Sequence, residues 1–595
     1  MDFTNILALI GGVAMFLFGM SVMGDALEKS AGSKLSSLLD KLTSNPIKGF
    51  ALGAIVTAII QSSSATTVMM VGFVNSGVMT LANVIPIIMG ANVGTTITAW
   101  ILSLSGISGD SFLLTMLKPT SFTPILAVIG VVFYLFLKDS KKKDIGLILL
   151  GFSVLIFGMD YMTSAVKPLA DVPEFQEIML LFSNPILGML VGALLTAIVQ
   201  SSSASVGILQ ALSATGRVTF GTAFPIILGQ NIGTCVTAII SSVGANKNAK
   251  RVAMVHLCFN VLGALLVMIL FYTLNFIIGF AFVDSLVDHT TIALIHTFFN
   301  VFCTCALLPF CKQFEKLACL LVKDKKDGVD KVALLDDRLL ATPSIAIERC
   351  RQVAINMADI SFRSVKKSLT LLNAYDKKLF EEIQKDEDTV DIYEDEIGSY
   401  LMKITNKDLS EKDSSEVTKL FHMIGNLERL SDHAVNVAES AQEMHEKKLD
   451  FSAVAKRDLS VMLTAVHEIM DNAMMAFIYN DVQVAVRVEP LEEVIDDLQI
   501  ALRSGHIERL RLGECTIELG FILSDLLTNL ERIADHCSNV AGCVIEIASH
   551  NSLGMHSYAE GLRRGDAVYD KYFEDYSNKY RLDAPSLGTK NVPNQ

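Results

Sequence analysis

A short polar motif, Gln-Ser-Ser-Ser, occurs twice in this chain, each time in the middle of an apolar stretch. It fills residues 61–64 within the stretch 47–75 and residues 200–203 within the stretch 186–214. A polar group that is buried without a partner costs free energy, so these side chains need ligands or hydrogen bonds. Hydroxyl and amide oxygens suit a hard cation such as Na⁺, whereas hydroxyls together with free backbone N–H groups suit an oxyanion.

The chain around the motif is duplicated as well. Residues 44–103 align with residues 183–242 without a gap at an offset of 139, and 28 of these 60 positions are identical. The identities include Asn-x-Gly-Thr at 92–95 and 231–234, about thirty residues after each Gln-Ser-Ser-Ser. Self-similarity over this length indicates two structural repeats.

Each apolar stretch that holds the motif is longer than one membrane span and too short for two. This length predicts a re-entrant hairpin of two short helices that meet at a polar tip, with the second arms starting at about Ser63 and Ser202. The first N–H groups of a second arm attract an anion, and the last carbonyls of a first arm attract a cation. The alternative is that the serines bond back to carbonyls one turn earlier, and that the Asn-x-Gly-Thr residues serve helix packing.

The composition divides the chain into two parts. Of the 595 residues, 51% are hydrophobic and 19% are charged, while soluble proteins carry about 25% charged residues. Residues 1–322 hold 16 Lys or Arg and 14 Asp or Glu, whereas residues 323–595 hold 33 and 49. These figures predict a transmembrane domain over 1–322 and a soluble acidic domain after it. They argue against nucleic-acid binding because neither part is strongly basic.

Seven apolar stretches are long enough to cross a membrane, in addition to the two hairpins. They lie near residues 5–24, 80–103, 121–137, 145–164, 220–242, 252–276 and 290–311. With the N-terminus outside, every cluster of Lys and Arg falls on the inner side, as the positive-inside rule requires, and the soluble domain is cytoplasmic. Three crossings then separate equivalent points of the repeats, about 11–103 and 150–242, so the second copy is inverted. Inverted repeats with broken helices are typical of secondary transporters.

The paired motifs within a repeated Ser-Asn-Pro, Gln-Ser-Ser-Ser, Asn-x-Gly-Thr unit resemble the type II sodium–phosphate cotransporters. The resemblance implies Na⁺-coupled movement of inorganic phosphate. Carried over by position, it implies phosphate-binding residues at Ser62, Ser63, Ser64, Ser201, Ser202 and Ser203. It implies sodium-binding residues at Gln61, Gln200, Asn92, Thr95, Asn231 and Thr234. The two copies differ just after the motif, where Ala-Thr-Thr at 65–67 corresponds to Ala-Ser-Val at 204–206.

A smaller repeat follows the two large ones. The pattern Ala-x-x-His-x-x-Phe-Asn-Val occurs at 253–261 and again at 293–301. The His and the Asn of each copy are four residues apart, so they share one helix face. This face predicts either a proton relay or pH sensor, or hydrogen bonding between helices.

The soluble half contains a duplication of its own, at an offset of 103, within residues 340–555, which are typical of long amphipathic helices. Four pairs of carboxylates stand four residues apart, and each pair therefore shares a helix face. The pairs are Glu387 and Asp391, Glu428 and Asp432, Glu492 and Asp496, and Glu531 and Asp535. Such pairs bind metals in helical bundles, whereas solvated helix faces carry them without a metal.

The duplicated carboxylates resemble the metal-binding signature of PhoU-like helical domains, which the bacterial branch of the cotransporter family carries at its C-terminus. The resemblance implies a cytoplasmic regulatory domain over 340–555 that binds a divalent metal. Residues 556–595 are predicted to be a tail.

Together these features predict an all-α polytopic membrane protein with two inverted repeats, each with a re-entrant helical hairpin, followed by a soluble PhoU-like bundle. The predicted function is sodium-coupled transport of inorganic phosphate across the cytoplasmic membrane, in contact with lipid and with homo-oligomerisation left open. The alternatives are a membrane phosphate sensor without net transport and a transporter of another small oxyanion. No enzyme is predicted, because the sequence has no Gly-x-Ser-x-Gly, Walker A or His-Glu-x-x-His motif.

Overall fold

A computed structural model describes residues 3–40, 45–106, 119–323, 335–407, 409–549 and 567–582. Within these ranges the chain is helical apart from loops and one isolated β-bridge between Thr219 and Leu286. It divides into two compact units, Met1–Ala346 with Leu409–Glu411 and Ile347–Asp408 with Lys412–Gln595. The predicted all-helical class is confirmed, and residues 335–346 pack with the first unit.

The first unit is built from helices α1 to α14. They are α1 Phe3–Asp40, α2 Pro46–Ile60, α3 Ser63–Asn75, α4 Leu81–Ser103, α5 Pro119–Phe136, α6 Ser140–Val166, α7 Pro173–Leu181, α8 Pro185–Val199, α9 Ser202–Ser213, α10 Phe220–Gly233, α11 Cys235–Ser241, α12 Lys247–Ile278, α13 His289–Leu307 and α14 Cys311–Leu321. The first arms of the two hairpins begin alike, because Asn45 and Asn184 cap helices whose first residue is proline. Proline has no N–H to leave unpaired at that position.

Among the described residues of the first unit, six unbroken segments are long and apolar enough to cross a membrane. They are Thr4–Ser30, Leu81–Gly106, Lys141–Asp171, Phe220–Ser241, Lys247–Ile278 and His289–Leu321. The seventh predicted crossing corresponds to a shorter apolar helix, Ser121–Phe136, and one further candidate, Ala453–Tyr479, lies in the second unit. That helix packs against its neighbours in the bundle, and half of its most apolar window is buried inside the protein.

Both predicted hairpins are broken at the expected place. The arms α2 and α3 contain 15 and 13 residues, which gives them lengths of about 22 and 20 Å. A membrane core is about 30 Å thick, so neither arm spans it alone. The Thr57 hydroxyl donates to the Thr66 hydroxyl at 3.0 Å, and this bond holds the two arms side by side near their junction.

Glycines set the packing of each repeat. A Cβ on Gly94 of α4 would lie 2.5 Å from the carbonyl oxygen of Ala54 in α2, and a Cβ on Gly233 of α10 would meet the backbone of Ala193 in α8. These positions correspond at the offset of 139. The first arm of each hairpin therefore lies backbone to backbone against the helix that carries Asn-x-Gly-Thr.

The second unit is a bundle of long helices. They are α15 Pro343–Leu371, which begins in the first unit, α16 Lys377–Thr405, α17 Glu411–Lys447, α18 Ala453–Tyr479, α19 Val482–Ala485, α20 Val488–Arg511, α21 Ile517–Ser549 and α22 Ala567–Lys579. Helix α22 packs on α20 with Tyr569 and Tyr576 buried, and the Tyr569 hydroxyl donates to Glu493. Residues 567–582 are therefore part of the bundle, which corrects the prediction of a tail there.

The duplicated part of the bundle is joined by a symmetric pair of hydrogen bonds. His433 Nδ1 lies 2.8 Å from Asn529 Oδ1, and His536 Nδ1 lies 3.0 Å from Asn426 Oδ1. The two imidazole rings stack with their centroids 5.5 Å apart. Burial lowers the pKa of His536 to about 4, so this imidazole is neutral near pH 7, and the stacked rings join α17 to α21.

Candidate functional site

The two tips share an unusual backbone conformation. Gln61 and Gln200 both have a φ of 60°, in the left-handed region. Each glutamine ends the first arm by donating its N–H to a threonine carbonyl, Thr57 at 2.8 Å and Thr196 at 2.7 Å. A left-handed residue is costly unless it is glycine or asparagine, so its presence at equivalent positions points to a functional constraint on the glutamine side chain.

The first serine of each motif is a helix cap. Ser62 Oγ accepts from the Ala65 N–H at 3.1 Å, and Ser201 Oγ accepts from the Ala204 N–H at 3.2 Å. The second arms therefore start at Ser63 and Ser202, as predicted. For these two capping serines the alternative of bonding back to the preceding turn is wrong.

Each cap leaves backbone N–H groups beside it that could bind an anion. The first N–H groups of a helix have no partner within the helix, and the capping hydroxyl takes only the third of them. The N–H groups of Ser63 and Ser64 therefore remain at the positive end of α3, and those of Ser202 and Ser203 remain at the positive end of α9. The side chains of Ser63, Ser202 and Ser203 are buried, and that of Ser64 is half-buried.

The first tip is closed by its own hydrogen bonds. Thr98 donates to Gln61 Oε1 at 2.9 Å, and Gln61 Nε2 donates to the Ala58 carbonyl at 2.5 Å. Gln61 is buried as a result. The structure thus joins the motif to Thr98, three residues beyond the first Asn-x-Gly-Thr.

The second tip has more polar atoms without partners. Gln200 is exposed, and the hydroxyls of Thr196 and Ser205 are buried with no hydrogen-bond partner in the described part of the chain. Gln230, which occupies the position of Ala91 in the first repeat, donates Nε2 to the Ser205 carbonyl at 3.0 Å, while its buried Oε1 has no partner. Gln230 was absent from the predicted site. The departure from Ala91 in an otherwise matched segment is the signal that could have identified it.

The two Asn-x-Gly-Thr asparagines each bind a second asparagine. Asn92 Nδ2 donates to Asn260 Oδ1 at 2.7 Å, and Asn231 Nδ2 donates to Asn300 Oδ1 at 2.6 Å. The partners come from the small repeat on α12 and α13. This pairing confirms hydrogen bonding between helices as a role of the small repeat, and it adds Asn260 and Asn300 to the residues around the predicted sodium ligands.

The remaining members of these clusters bond locally. Thr95 and Thr234 donate their hydroxyls to the carbonyls of Ala91 and Gln230, each at 3.0 Å. Their oxygens keep lone pairs that a cation could use. In the second repeat alone, a histidine approaches the asparagine: His296 Nε2 lies 3.3 Å from Asn231 Oδ1.

In the bundle, three of the eight predicted metal ligands come together. Carboxylate oxygens of Glu387, Asp391 and Asp432 lie within 4.8 Å of one another. Burial, and then repulsion between these carboxylates, raises the pKa of Glu387 and of Asp391. Burial and the neighbouring Asp432 raise the pKa of Glu428 to about 7. Mutual repulsion of this kind favours a divalent cation in a bundle.

The equivalent carboxylates of the second copy have other surroundings. Arg532 lies 3.6 Å from Glu531 and 3.1 Å from Asp535, and it supplies positive charge there. Glu492 is buried. Among the described residues, Glu492, Asp496, Glu531 and Asp535 form no cluster of the kind seen in the first copy.

The Na⁺/Pi-cotransporter family matches this chain twice, over residues 15–164 and 155–286. These two matches follow the two repeats of the first unit. The PhoU domain family also matches twice, over residues 354–441 and 459–544, which follow the duplication of the bundle.

Three relatives illustrate the range of similarity. YjbB of Escherichia coli (strain K12), which is named as a candidate inorganic phosphate export protein, is 26% identical over 91% of this chain and 98% of its own length. YqeW of Bacillus subtilis (strain 168) is 32% identical over 53% of this chain and 97% of its own length. Sodium-dependent phosphate transport protein 2B of Pongo abelii is 24% identical over 44% of this chain and 58% of its own length. The chain therefore belongs to the Na⁺/Pi-cotransporter family of multi-pass membrane proteins and carries a PhoU domain at its C-terminus.

Proposed function

We propose that this chain is a sodium-coupled secondary transporter of inorganic phosphate that works by alternating access around the two hairpin tips. The observation that carries the proposal is the identical construction of the tips. Each has a left-handed glutamine and a capping serine at the same positions. A purely structural break has no need for the same left-handed glutamine and capping serine twice, whereas a site built from two inverted halves does.

In this account the phosphate is held by the second arms. The N–H and hydroxyl groups of Ser63 and Ser64 meet one side of the anion, and those of Ser202 and Ser203 meet the other. Backbone N–H groups at a helix start bind phosphate without any arginine or lysine, which agrees with the absence of charged residues from 49–109 and 178–216. Neutral donors also release the anion more readily than a fixed positive charge.

Sodium is held by oxygen atoms at the ends of the first arms and on the neighbouring helices. The proposed ligands are Gln61, Gln200, Asn92, Thr95, Asn231 and Thr234. Asn260 orients Asn92 and Asn300 orients Asn231, because each partner accepts the amide N–H and so turns the amide oxygen toward the opposite side. Gln230 offers a further oxygen in the second repeat.

Sodium supplies the driving force. Moving a divalent phosphate into a cell against a potential of 100 mV costs about 4–5 kcal/mol, at roughly 2.3 kcal/mol per charge. Two or three Na⁺ ions that enter with the phosphate offset this cost. The same coupling run in reverse exports phosphate, and export is the direction in the name of YjbB.

The C-terminal bundle is the regulatory part, on the cytoplasmic side. Its orientation follows from the basic clusters of residues 1–322, which the positive-inside rule places on the same side as the bundle. The cluster of Glu387, Asp391 and Asp432 would hold a divalent metal, with Glu428 as a neighbouring acidic group. Phosphate is the proposed substrate; a membrane sensor without net flux and a carrier of another oxyanion are the competing functions.

One experiment separates these functions. The full chain is reconstituted in liposomes, and flux of radiolabelled phosphate is measured with Na⁺ or with choline, for gradients in both directions, against protein-free liposomes. We expect flux with Na⁺ only, and competition by unlabelled phosphate but by neither sulfate nor succinate. Equal flux in choline would refute sodium coupling, and tight phosphate binding without flux would favour the sensor.

A further inference from the structure

The chain that leads into the bundle is bound to the first hairpin. We call residues 335–342 the connector. Asp336 of the connector is buried and accepts from Asn75 Nδ2 at 2.5 Å, at the end of the second arm α3. Leu339 is fully buried against the same arm, where a Cβ on Gly72 would lie only 2.9 Å from its Cδ2.

Arg338 extends this contact to the end of the second repeat. It pairs with Asp336 at 2.9 Å, and it donates to the carbonyls of Ser241 at 2.5 Å and Val243 at 3.1 Å. The connector therefore joins three parts of the first unit: the far end of α3, the end of α11 and the loop behind it.

The loop between α11 and α12 also binds the first hairpin directly. The Asn246 N–H donates to Asn75 Oδ1 at 2.8 Å, and Asn246 Nδ2 donates to the Asn75 carbonyl at 2.9 Å. Asn75 thus has its amide oxygen, amide nitrogen and carbonyl oxygen engaged at once. A residue held at three points, two on its side chain and one on its backbone, fixes the position of the helix end that carries it.

The second hairpin lacks these contact residues. At the offset of 139, Gly72 corresponds to Ala211 and Asn75 corresponds to Ala214. Ala211 is buried in the apolar core beside Phe16 and Leu155. Ala214 has no side-chain amide that could donate to a carboxylate as Asn75 donates to Asp336. The methyl group of Ala211 fills the space that Gly72 leaves open for Leu339. The connector is therefore matched to the first hairpin alone.

We propose that the connector is a latch that restrains the first hairpin, and that ties this hairpin to the chain entering the C-terminal bundle. Helix α15, Pro343–Leu371, begins directly after the connector and continues into the second unit. A rearrangement of the bundle that withdraws the connector frees the end of α3. Release of one tip and not the other makes the two halves of the transport site unequal. The physiological meaning rests on the proposed function, but the latch itself does not.

Hydrogen exchange of the full-length protein in detergent, read by mass spectrometry, tests the latch. The variants are Leu339→Ala, which empties the pocket beside Gly72, and Arg338→Gln, which keeps the buried leucine but removes the ion pair. Peptides covering 63–79 report on the first hairpin, and peptides covering 202–218 are the internal control. We expect exchange in 63–79 to become at least fivefold faster in both variants and exchange in 202–218 to stay unchanged.

Arg363→Gln is the matched control, because it makes the same Arg-to-Gln change and removes an ion pair, to Asp359 at 3.3 Å, on the exposed face of α15, and it should behave as wild type. Unchanged exchange in 63–79 in both variants overturns the latch. Equal acceleration in both hairpins also overturns it, because that result describes general loosening. The readout is hydrogen exchange and not flux. The experiment therefore tests the latch even if the protein transports no phosphate, and a failure of the proposed function would show only in the flux measurement.

Discussion

Gly12 and Gly158 approach each other reciprocally where α1 crosses α6. A Cβ on Gly12 would lie 3.1 Å from the carbonyl oxygen of Gly158, and a Cβ on Gly158 would lie 2.9 Å from the carbonyl oxygen of Gly12. Gly19 and Gly151 make the same exchange, at 2.7 and 2.9 Å. At the offset of 139, Gly151 is the copy of Gly12, and Gly158 is the copy of Gly19. Gly12 therefore contacts the copy of Gly19, and Gly19 contacts the copy of Gly12. This exchange requires the equivalent helices α1 and α6 to run antiparallel.

This contact predicts a sharp difference between two adjacent glycines. Gly12→Ala should lower the stability of the detergent-solubilised protein by about 1–3 kcal/mol, because its methyl group would overlap the backbone of Met162. Gly11→Ala should be tolerated, since its Cβ would meet only Tyr161 at 3.6 Å. Thermal unfolding of the two variants measures the difference. Equal melting temperatures would show that α1 and α6 do not pack backbone to backbone at Gly12.

The serines of the tips are predicted to be indispensable for flux. Ser63→Ala and Ser202→Ala should each reduce sodium-dependent phosphate flux at least tenfold while the protein still inserts and purifies normally. Each substitution removes a buried hydroxyl beside the free N–H groups of its arm. Ser213→Ala is the matched control, because this hydroxyl only bonds back to Gln210 at the far end of α9. Wild-type kinetics in both tip variants would remove the tips from the site.

The asparagine pairs are predicted to set sodium affinity. Asn260→Leu leaves the Asn92 amide N–H without its acceptor, and Asn300→Leu does the same to the Asn231 amide N–H, so each amide is held less firmly in one orientation. We expect the Na⁺ concentration for half-maximal flux to rise at least fivefold. The phosphate concentration for half-maximal flux, measured at saturating Na⁺, should change less. Cys258→Ala on α12 is the control. A pure loss of maximal flux with unchanged sodium dependence would assign these residues a packing role only.

The acidic cluster of the bundle makes a prediction about pH. The pKa of Glu428 is raised from 4.5 to about 7 in the folded protein, so the folded state holds this proton more tightly than the unfolded state does. Its contribution to stability is therefore present below pH 4.5 and is lost as the pH rises through 7. Chemical denaturation of the bundle, followed by hydrogen exchange of α17, should show a smaller loss of stability over this range in Glu428→Gln than in wild type. An identical pH dependence would contradict the burial of this carboxyl.

A divalent cation should reverse that loss. At pH 8, addition of Mn²⁺ is expected to slow hydrogen exchange in α16 and α17 of the wild-type protein, and EDTA should restore the faster exchange. Asp391→Asn should raise the Mn²⁺ concentration needed for half-maximal protection at least tenfold. The carboxylates of the second copy, beside Arg532, serve as an internal comparison: protection that appears only in α20 and α21 would place the metal there instead.

The tips could be predicted from the sequence because their signal is local. A polar motif within an apolar stretch already contains the break, the cap and the start of the second arm, and the duplication argues against a chance origin. The starts at Ser63 and Ser202 followed from the motif alone. Repeat inversion also followed, since counting crossings needs only hydropathy and charge.

Other features depend on contacts between distant segments and could not be predicted. The pairing of Asn92 with Asn260 joins helices 168 residues apart, and nothing in either motif specifies the other. Gln230 stood out only as a mismatch between the repeats. Asp336 and Arg338 look like ordinary surface charges in the sequence, and the tyrosines of α22 look like those of a polar tail, until the surfaces they pack against are known.

The most direct test of the central claim is reciprocal coupling. If both tips hold one phosphate together with its sodium ions, a phosphate gradient alone must drive ²²Na⁺ across the membrane of a proteoliposome. We predict ²²Na⁺ movement in the direction of the phosphate gradient, absent from protein-free liposomes and from Ser63→Ala and Ser202→Ala. Phosphate-driven sodium movement that persists in both variants, or sodium movement that ignores the phosphate gradient, would contradict the account.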